Sequence, residues 1–371
     1  MTSATIFDPT HVDLTTANQA DIVCYFSISS NEYNGLLSLR ISSIFVIGLV
    51  STLVTCFPVI ARRKPSWKIP LGLYTFARFF GSGVIIATAF IHLLDPAYEA
   101  IGPGSCVAAS GAWAEYPWCA AIVLVSIVAV FCVDLGAEVY VERRFGVVRV
   151  GDEGATGAFL RRGGEDGAEV LSDTGAEAHQ CDRTGRGKNT SSLDNASIDT
   201  TTTKVRLSFA QQIGAFLVLE FGIIFHSVII GLNLGVVASS TFTTLYPVLV
   251  FHQSFEGLGI GARLSTIPFP SPKSWMPWAL CALYGLTTPV AIAIGLGVRT
   301  TYMPESKVSM IVQGVLNAVS AGFLIYSGLV ELLAKDFLFD KERTRNLGRL
   351  GLMVGYVFVG AAVMAVIGYW A

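Results

Sequence analysis

Residues 208–236 read SFAQQIGAFLVLEFGIIFHSVIIGLNLGV, a long apolar run in which Glu220 is the one residue with a formal charge and His226 is the one histidine. A membrane-spanning helix needs about 20 mostly apolar residues to cross a hydrocarbon core of about 30 Å. This run is longer than that. A helix is the required conformation, because every backbone polar group in lipid needs a partner within the segment. We therefore predict a transmembrane helix over this run.

The rest of the chain has the same character. It has 371 residues, of which 52% are hydrophobic and only 14% are charged, and its mean hydropathy is +0.58. A soluble domain of this size needs more charge to cover its surface. We predict an all-α polytopic membrane protein with eight transmembrane helices, of which the fifth is the least apolar. The candidate spans are roughly 36–60, 71–94, 118–142, 208–236, 243–264, 276–298, 309–333 and 347–370.

The distribution of Lys and Arg predicts the orientation, because cytoplasmic connections carry an excess of these residues. The connection between the first two spans contains Arg62, Arg63 and Lys64, and the third-to-fourth and seventh-to-eighth connections are also basic. The second-to-third and fourth-to-fifth connections contain neither Lys nor Arg. Arg299 and Lys307, in the sixth-to-seventh connection, depart from the pattern. Both termini are therefore expected outside the cell.

The spans divide the chain into four parts. An extracellular segment, 1–35, precedes the first three transmembrane helices in 36–145, and the other five helices lie in 207–371. Between these two blocks, 146–206 is rich in Gly, Asp, Glu, Ser and Thr and poor in apolar residues. Such a segment cannot bury enough apolar surface to fold, so we predict a disordered cytosolic loop.

The net charge and the cysteines argue against several classes of function. A net charge of −2 gives no general attraction to nucleic acid. The seven cysteines contain no CxxC pair, which favours neither a zinc finger nor a disulfide framework. Cys24, Cys106 and Cys119 fall in or beside segments predicted to be extracellular, so the topology allows one disulfide among these three.

An internal repeat indicates where a functional site lies. Residues 226–235 read HSVIIGLNLG and residues 252–261 read HQSFEGLGIG. Both fit H-x-x-x-x-G-L-x-(L or I)-G, on two successive helices that run in opposite directions. Transporters place their sites where inverted elements face each other near the bilayer midplane. Glycines also serve close helix packing, but that interpretation does not account for the paired histidines.

We predict that His226, His252 and Glu256 meet at one depth in the membrane. At 1.5 Å per residue, both histidines lie roughly 18–21 Å along their helices from the connection between them. Glu256 follows His252 by one helical turn on the same face. Two imidazole nitrogens and a carboxylate oxygen suit zinc and leave room for water or a further ligand. A His–Glu pair that only holds two helices together is the alternative.

Other polar groups within the spans are candidates for the route to and from this site. His92 and Asp95, at the outer end of the second span, are a candidate entrance, and Asp134 and Glu138 in the third span are a candidate exit. Glu220, on the cytosolic side of the first histidine of the repeat, is a further candidate exit ligand. A polar cluster at a helix end, or a carboxylate neutralised by a nearby Arg, is the alternative for each.

Three stretches resemble signature motifs of the ZIP (Zrt/Irt-like) metal transporters. The segment from Leu219 to Gly235 is similar to the family's fourth-helix signature, and HQSFEG at 252–257 is similar to its fifth-helix motif. GSGVIIATAFIHLLDPA at 81–97 is similar to its second helix. With eight predicted helices and a long loop between the third and fourth, the resemblance covers nearly the whole chain. It is strongest to the fungal plasma-membrane zinc-uptake branch.

The resemblance implies a fold and a function. It implies metal ligands at His226, His252 and Glu256 between the fourth and fifth helices, and alternating access by sliding of one helix group against another. It implies a plasma-membrane carrier that moves zinc into the cytosol, with zinc as the transported substrate, the lipid bilayer as surroundings and no cofactor. It also implies a homodimer, which some family members form.

Two departures from the family pattern bear on the site. Relatives with two metals use an Asn and an acidic residue in the fourth helix and an Asp in the fifth, where this chain has Ser227, Ile230 and Gln253. We therefore predict one main site, with Ser227 and Gln253 as minor ligands or as groups behind the ligands. The third-to-fourth loop also lacks the histidine-rich repeats that are common in the family.

Several functions stay open on the sequence alone. Besides zinc uptake, the chain could carry iron or a broad range of divalent cations, because His and carboxylate ligands accept several of these metals. An intramembrane zinc hydrolase is a different class of alternative, although no HExxH motif occurs. A metal receptor that binds zinc without transporting it is another.

Overall fold

The structure is a computed structural model, and it describes residues 33–109, 111–145, 191–271, 274–339 and 344–370. Within these ranges the regular structure is helical throughout, which confirms the all-α prediction. We label the eight long helices α1 to α8 in chain order. They are α1 (Leu37–Arg63), α2 (Leu71–Ile101), α3 (Trp118–Phe145), α4 (Ser191–Val236), α5 (Ser239–Thr266), α6 (Met276–Gly297), α7 (Lys307–Phe339) and α8 (Leu347–Gly368).

Seven of these helices are long and apolar enough, among the described residues, to cross a membrane. The eighth, α5, is 28 residues long but is not in that set. Its polar residues include His252, Gln253 and Glu256, so the least apolar helix is also the one with most of the predicted ligands. Such polar groups within a span are expensive in lipid and occur where a bundle interior holds them.

In the structure, α4 begins before the predicted fourth span. Helix α4 begins at Ser191, so residues 191–206 of the predicted disordered loop are helical in the structure. This part of the chain is polar, and the membrane-compatible part of α4 begins only at Ser208. Hydropathy detects the stretch that can lie in lipid and does not detect how far the helix continues beyond it. The rest of the predicted loop, 146–190, lies outside the described residues.

The helices pack as two groups. Helix α1 packs against α5 and α6, and α4 packs against α6; in the second group α2 packs against α8, and α3 packs against α7. The groups meet mainly where α2 crosses α5 and where α4 crosses α7. At the first crossing Gly81 faces Gly259 so closely that a Cβ on Gly81 would lie 2.1 Å from the Gly259 Cα. Only glycine permits this approach.

The turn between α4 and α5 is held by a buried cation. Arg40 of α1 is 0% exposed, and its guanidinium donates to the carbonyl oxygens of Leu234 at 3.0 Å and Gly235 at 3.2 Å, and to that of Val237. These carbonyls end α4, where no intrahelical donor is left for them. A cation is also favoured at a helix C-terminus. Arg40 therefore fixes how α5 starts relative to α4, and with it the relative depth of the two repeat motifs.

The π-helical segment Thr88–Leu94 interrupts α2 beside α5. Such segments are rare and often occur at functional sites. This one contains Thr88, which contacts Glu256, and His92, whose ring lies beside those of His226 and His252. A second π-helical segment, Ser327–Phe339, ends α7.

Among the described cysteines, Cys106 is disulfide-bonded, whereas Cys56, Cys119, Cys132 and Cys281 are free. A bridge between Cys106 and Cys119 is therefore absent from the part of the chain that the structure describes. Cys24 lies outside that part.

Candidate metal centre

The structure brings His226, His252 and Glu256 together. One ligand atom of each lies within 4.8 Å of those of the other two, and it is the one such group of His, Cys, Asp or Glu found among the described residues. The three side chains are 2%, 1% and 0% exposed. They come from α4 and α5, as the matched depths of the two motifs predict.

The repeat's glycines and histidines serve different purposes. A Cβ on Gly235 of α4 would lie 2.9 Å from the backbone of Gly295 in α6, and a Cβ on Gly261 of α5 would lie 2.1 Å from the carbonyl of Thr55 in α1. The glycines therefore let α4 and α5 pack against α6 and α1. The histidines of the same two motifs point instead toward the shared group. Close helix packing therefore explains the glycines of the repeat, and it does not explain the histidines.

Several atoms of this group have no hydrogen-bond partner among the described residues. They are the Nε2 atoms of His226 and His252 and the Oε2 atom of Glu256. His252 Nε2 lies 3.4 Å from Glu256 Oε1, in contact but without the geometry of a hydrogen bond. Buried polar atoms are nearly always paired. An unpaired set of two imidazole nitrogens and a carboxylate oxygen is what an open zinc site offers.

Thr88 is a member of the site that the sequence analysis missed. Its Oγ1 donates to Glu256 Oε1 at 2.9 Å, and both side chains are 0% exposed. A donor behind a carboxylate orients it and stabilises its charged form. The two residues are 168 positions apart, so no local pattern connects them.

His92 lies beside the group but outside it. Its ring centroid is 4.7 Å from that of His252, edge to face, and 6.4 Å from that of His226. Its Nε2 is 3.4 Å from the carbonyl oxygen of Met364 in α8. His92 is therefore adjacent to the ligand group without belonging to it.

The structure places Gln253 and Ser227 differently from the three main residues. The Gln253 side chain is bound to α6: it donates to Thr288, and its Oε1 accepts from the Tyr284 hydroxyl at 2.6 Å. It is therefore not free to bind a metal in this conformation. The hydroxyl of Ser227 is buried and has no hydrogen-bond partner among the described residues, but it is not part of the compact ligand group.

A cavity of about 780 Å³ leads to the histidines from the end of the bundle that carries the α4–α5 turn. Its lining includes all three histidines, and Asp95, Glu99 and Glu305 also line it. Asp95 is exposed, in keeping with a role at the entrance. Glu99, near the end of α2, and Glu305, in the α6–α7 connection, belong to no motif, so the sequence analysis does not single them out. Carboxylates around a cleft raise the local concentration of cations.

The opposite side of the site is closed but contains unpaired polar groups. Glu220 is 2% exposed, and neither of its carboxylate oxygens has a hydrogen-bond partner among the described residues. On α7, Asn317 Oδ1 and the hydroxyls of Ser320 and Ser327 are likewise buried without partners. Asn317 also lines the cavity, so this face of α7 continues inward from it. The three α7 groups mark a polar seam along this face of α7.

Asp134 and Glu138, predicted as an exit, do not join the ligand group. Both are half-buried on α3. Asp134 Oδ2 accepts from the Tyr326 hydroxyl of α7 at 2.9 Å, so this carboxylate links two helices.

The fold and the site together define a polytopic helical membrane protein. Its interior contains a buried cluster of side chains of the types that bind metals. The family model described as ZIP Zinc transporter matches residues 37–368, and the chain belongs to this family. The family is one of transporters, and the predicted resemblance is confirmed.

Individual relatives match over nearly the full length. Zinc-regulated transporter 1 of Saccharomyces cerevisiae is 50% identical over 98% of this chain and 97% of its own. Zinc-regulated transporter 1 of Schizosaccharomyces pombe is 40% identical over 92% of this chain and 88% of its own. Zinc transporter 9 of Oryza sativa is 34% identical over 96% of this chain and 95% of its own. The fungal relatives agree with the fungal branch that the motifs resemble.

Proposed function

We propose that this protein carries zinc across the plasma membrane into the cytosol through a site formed by His226, His252 and Glu256. One observation carries the proposal: these buried ligand atoms lie within 4.8 Å of one another, partly unpaired among the described residues, and the two histidines line a cavity open to one end of the bundle. The names of the relatives, which are zinc-regulated and zinc transporters, support zinc as the substrate.

The orientation is part of the proposal. The end of the bundle with the α4–α5 turn includes the two connections that lack Lys and Arg, and we assign it to the outside of the cell. The cavity opens to that end, so the conformation described is one that loads zinc from outside. Both termini then lie outside, and the loop between α3 and α4 lies in the cytosol.

The ligand set suits a carrier, which must also release its ion. Two imidazoles and one carboxylate leave a coordination position for water or for His92 as the ion arrives. A closed cage of thiolates would hold zinc too tightly for transport. We assign Asp95, with His92, to the entrance, and Glu220 to the exit along the polar seam of α7. We assign Gln253 and Ser227 to positions behind the ligands, from which their side chains could move during the transport cycle.

Release requires the closed end to open. There Asp336 of α7 pairs with Arg78 of α2, at 2.6 Å, and lies 3.7 Å from Arg263 of α5. Arg263 also donates to the carbonyl oxygen of Glu331 at 3.4 Å. This network joins α5 of one helix group to α2 and α7 of the other. Movement of the groups along the α2–α5 contact would break it and open the site to the cytosol.

The test is metal flux into liposomes that contain the purified chain, with competing cations. We expect zinc accumulation that is lost in H226A, H252A and E256A, and retained in E115Q, a control carboxylate outside the site. Iron or manganese flux equal to that of zinc would support a broad-range carrier instead. Zinc binding without flux would indicate a receptor. Normal zinc flux in all three alanine variants would refute the assigned site.

Light scattering of the purified protein measures the homodimer that the resemblance implies.

A further inference from the structure

A second cavity, of about 640 Å³, lies at the closed end of the bundle, away from the metal ligands. It is formed by the end of α1, the α1–α2 connection, the start of α2 and parts of α5, α7 and α8. Four cationic side chains line it, with Asp336 as the one carboxylate in its described lining. The cations are Arg62, Lys64, Lys68 and Arg78.

Three of these four cations have no ion-pair partner among the residues that the structure describes. Asp336 is bound to Arg78 at 2.6 Å and 3.0 Å. Within the described part of the chain Arg62, Lys64 and Lys68 form no ion pair. Three unpaired cations around one concavity repel each other, and an anion between them would relieve the repulsion. A loose excess of Lys and Arg is usual at a cytoplasmic membrane surface, but that rule does not require the charges to share a cavity.

The backbone adds a second, independent feature. Lys68 has a φ of 45°, one of two positive values among the described non-glycine residues. A non-glycine residue seldom adopts this conformation, and such strain concentrates at ligand clamps. Two residues later, α2 begins behind Pro70 without a side-chain cap. Leu71 lines the cavity, so the start of this 31-residue helix forms part of the same wall as the cations. A helix N-terminus favours phosphate groups.

The surroundings indicate that the anion is attached to a lipid. Leu71 is 80% exposed, and Trp67 in the same connection is 49% exposed, with the Lys64 Nζ 5.7 Å from the Trp67 ring centroid. Exposed Trp beside an apolar helix start is typical of the membrane interface. A cavity at that level accepts a headgroup while the acyl chains stay in the bilayer. Basic pockets between transmembrane helices bind anionic headgroups in this way.

We propose that this cavity binds the headgroup of a phosphorylated anionic phospholipid in the adjacent leaflet. Three unpaired cations and a helix start suit a headgroup with several negative charges better than one with a single charge. Because Arg78 lines the cavity and also binds Asp336, the headgroup would compete with Asp336 for Arg78. Occupancy would then bias the network that keeps this end of the bundle closed.

The test measures binding, so it does not depend on zinc transport. Purified full-length protein is titrated with short-chain phosphatidylinositol 4-phosphate, phosphatidylserine or phosphatidylcholine and followed by thermophoresis. We expect saturable binding of the first lipid, weaker binding of the second and none of the third. The double substitution K64Q/K68Q should weaken binding roughly 30-fold, because each lysine near an anionic lipid surface contributes about a factor of five.

The matched control is R345Q/R349Q, which removes two exposed cations just before and within α8, at the same end but outside the cavity lining. We expect this control to bind as the unmodified protein does. Equal losses of lipid affinity in the two double variants would show that general surface charge causes the binding, and this result would overturn the proposal. So would an equal affinity for free inorganic phosphate, which would show a site for the anion without the lipid. No binding of any phosphorylated lipid by the full chain would also overturn it.

Discussion

The hydroxyl of Thr88 provides a sharp test of the metal centre. Replacing Thr88 by Val keeps the shape of this 0% exposed side chain and removes its 2.9 Å hydrogen bond to Glu256 Oε1. A hydrogen bond to a charged group contributes about 1.5–3 kcal/mol. Loss of a group that orients a metal ligand lowers metal affinity about 10–100-fold. The two estimates agree, because 1.4 kcal/mol corresponds to a factor of about ten.

We therefore expect T88V to weaken zinc binding by about 10–100-fold. The matched control is T88S, which keeps the hydroxyl and should bind zinc nearly as the unmodified protein does. Isothermal titration of the purified variants measures the affinity directly, and liposome flux should show a raised half-saturating zinc concentration. Equal zinc affinities for T88V and T88S would refute the role assigned to this hydrogen bond.

Three further predictions test the site and its supports. Zinc binding and flux should fall at acid pH, because protons compete with the metal for the histidine and carboxylate ligands; flux unchanged down to about pH 5 would contradict this. G81V should lower thermal stability by about 1–3 kcal/mol through overpacking and reduce flux at the α2–α5 crossing. G72V, whose added Cβ would have no neighbour within 4 Å, should do neither. R40M should lower stability by about 1.5–3 kcal/mol, because three carbonyls at the α4–α5 turn, two of them in buried hydrogen bonds, lose their donor. R40K should be intermediate in a thermal melt, and an unchanged melt for R40M would show that the turn is stable without Arg40.

The sequence predicted the fold class because lipid leaves so few alternatives. Apolar runs long enough to span must be helices, and all eight predicted spans coincide with long helices in the structure. At residues 191–206, which the sequence analysis assigns to a disordered loop, α4 continues beyond the apolar stretch. Hydropathy reports where a chain can lie in lipid, and it does not report how far a helix extends into water.

The three central site residues were also within reach of the sequence. The i, i+4 spacing of His252 and Glu256 places both on one face of α5. The repeat places His226 at the matching depth on α4. Both arguments use only helix geometry and the length of one connection. The sequence indicated only a minor role for Gln253, and in the structure its side chain is hydrogen-bonded to α6.

What the sequence by itself determined about this protein is which segments are helices and which side chains share a helix face, because both follow from periodicity and from the demands of the bilayer. Only the tertiary structure decided which distant groups touch. The contact between Thr88 and Glu256, the ring of His92 beside His252, and the cations around the second cavity all depend on how separate helices cross. Those crossings are set by side-chain packing and by close glycine contacts, which join residues far apart in the chain and leave no local pattern to read.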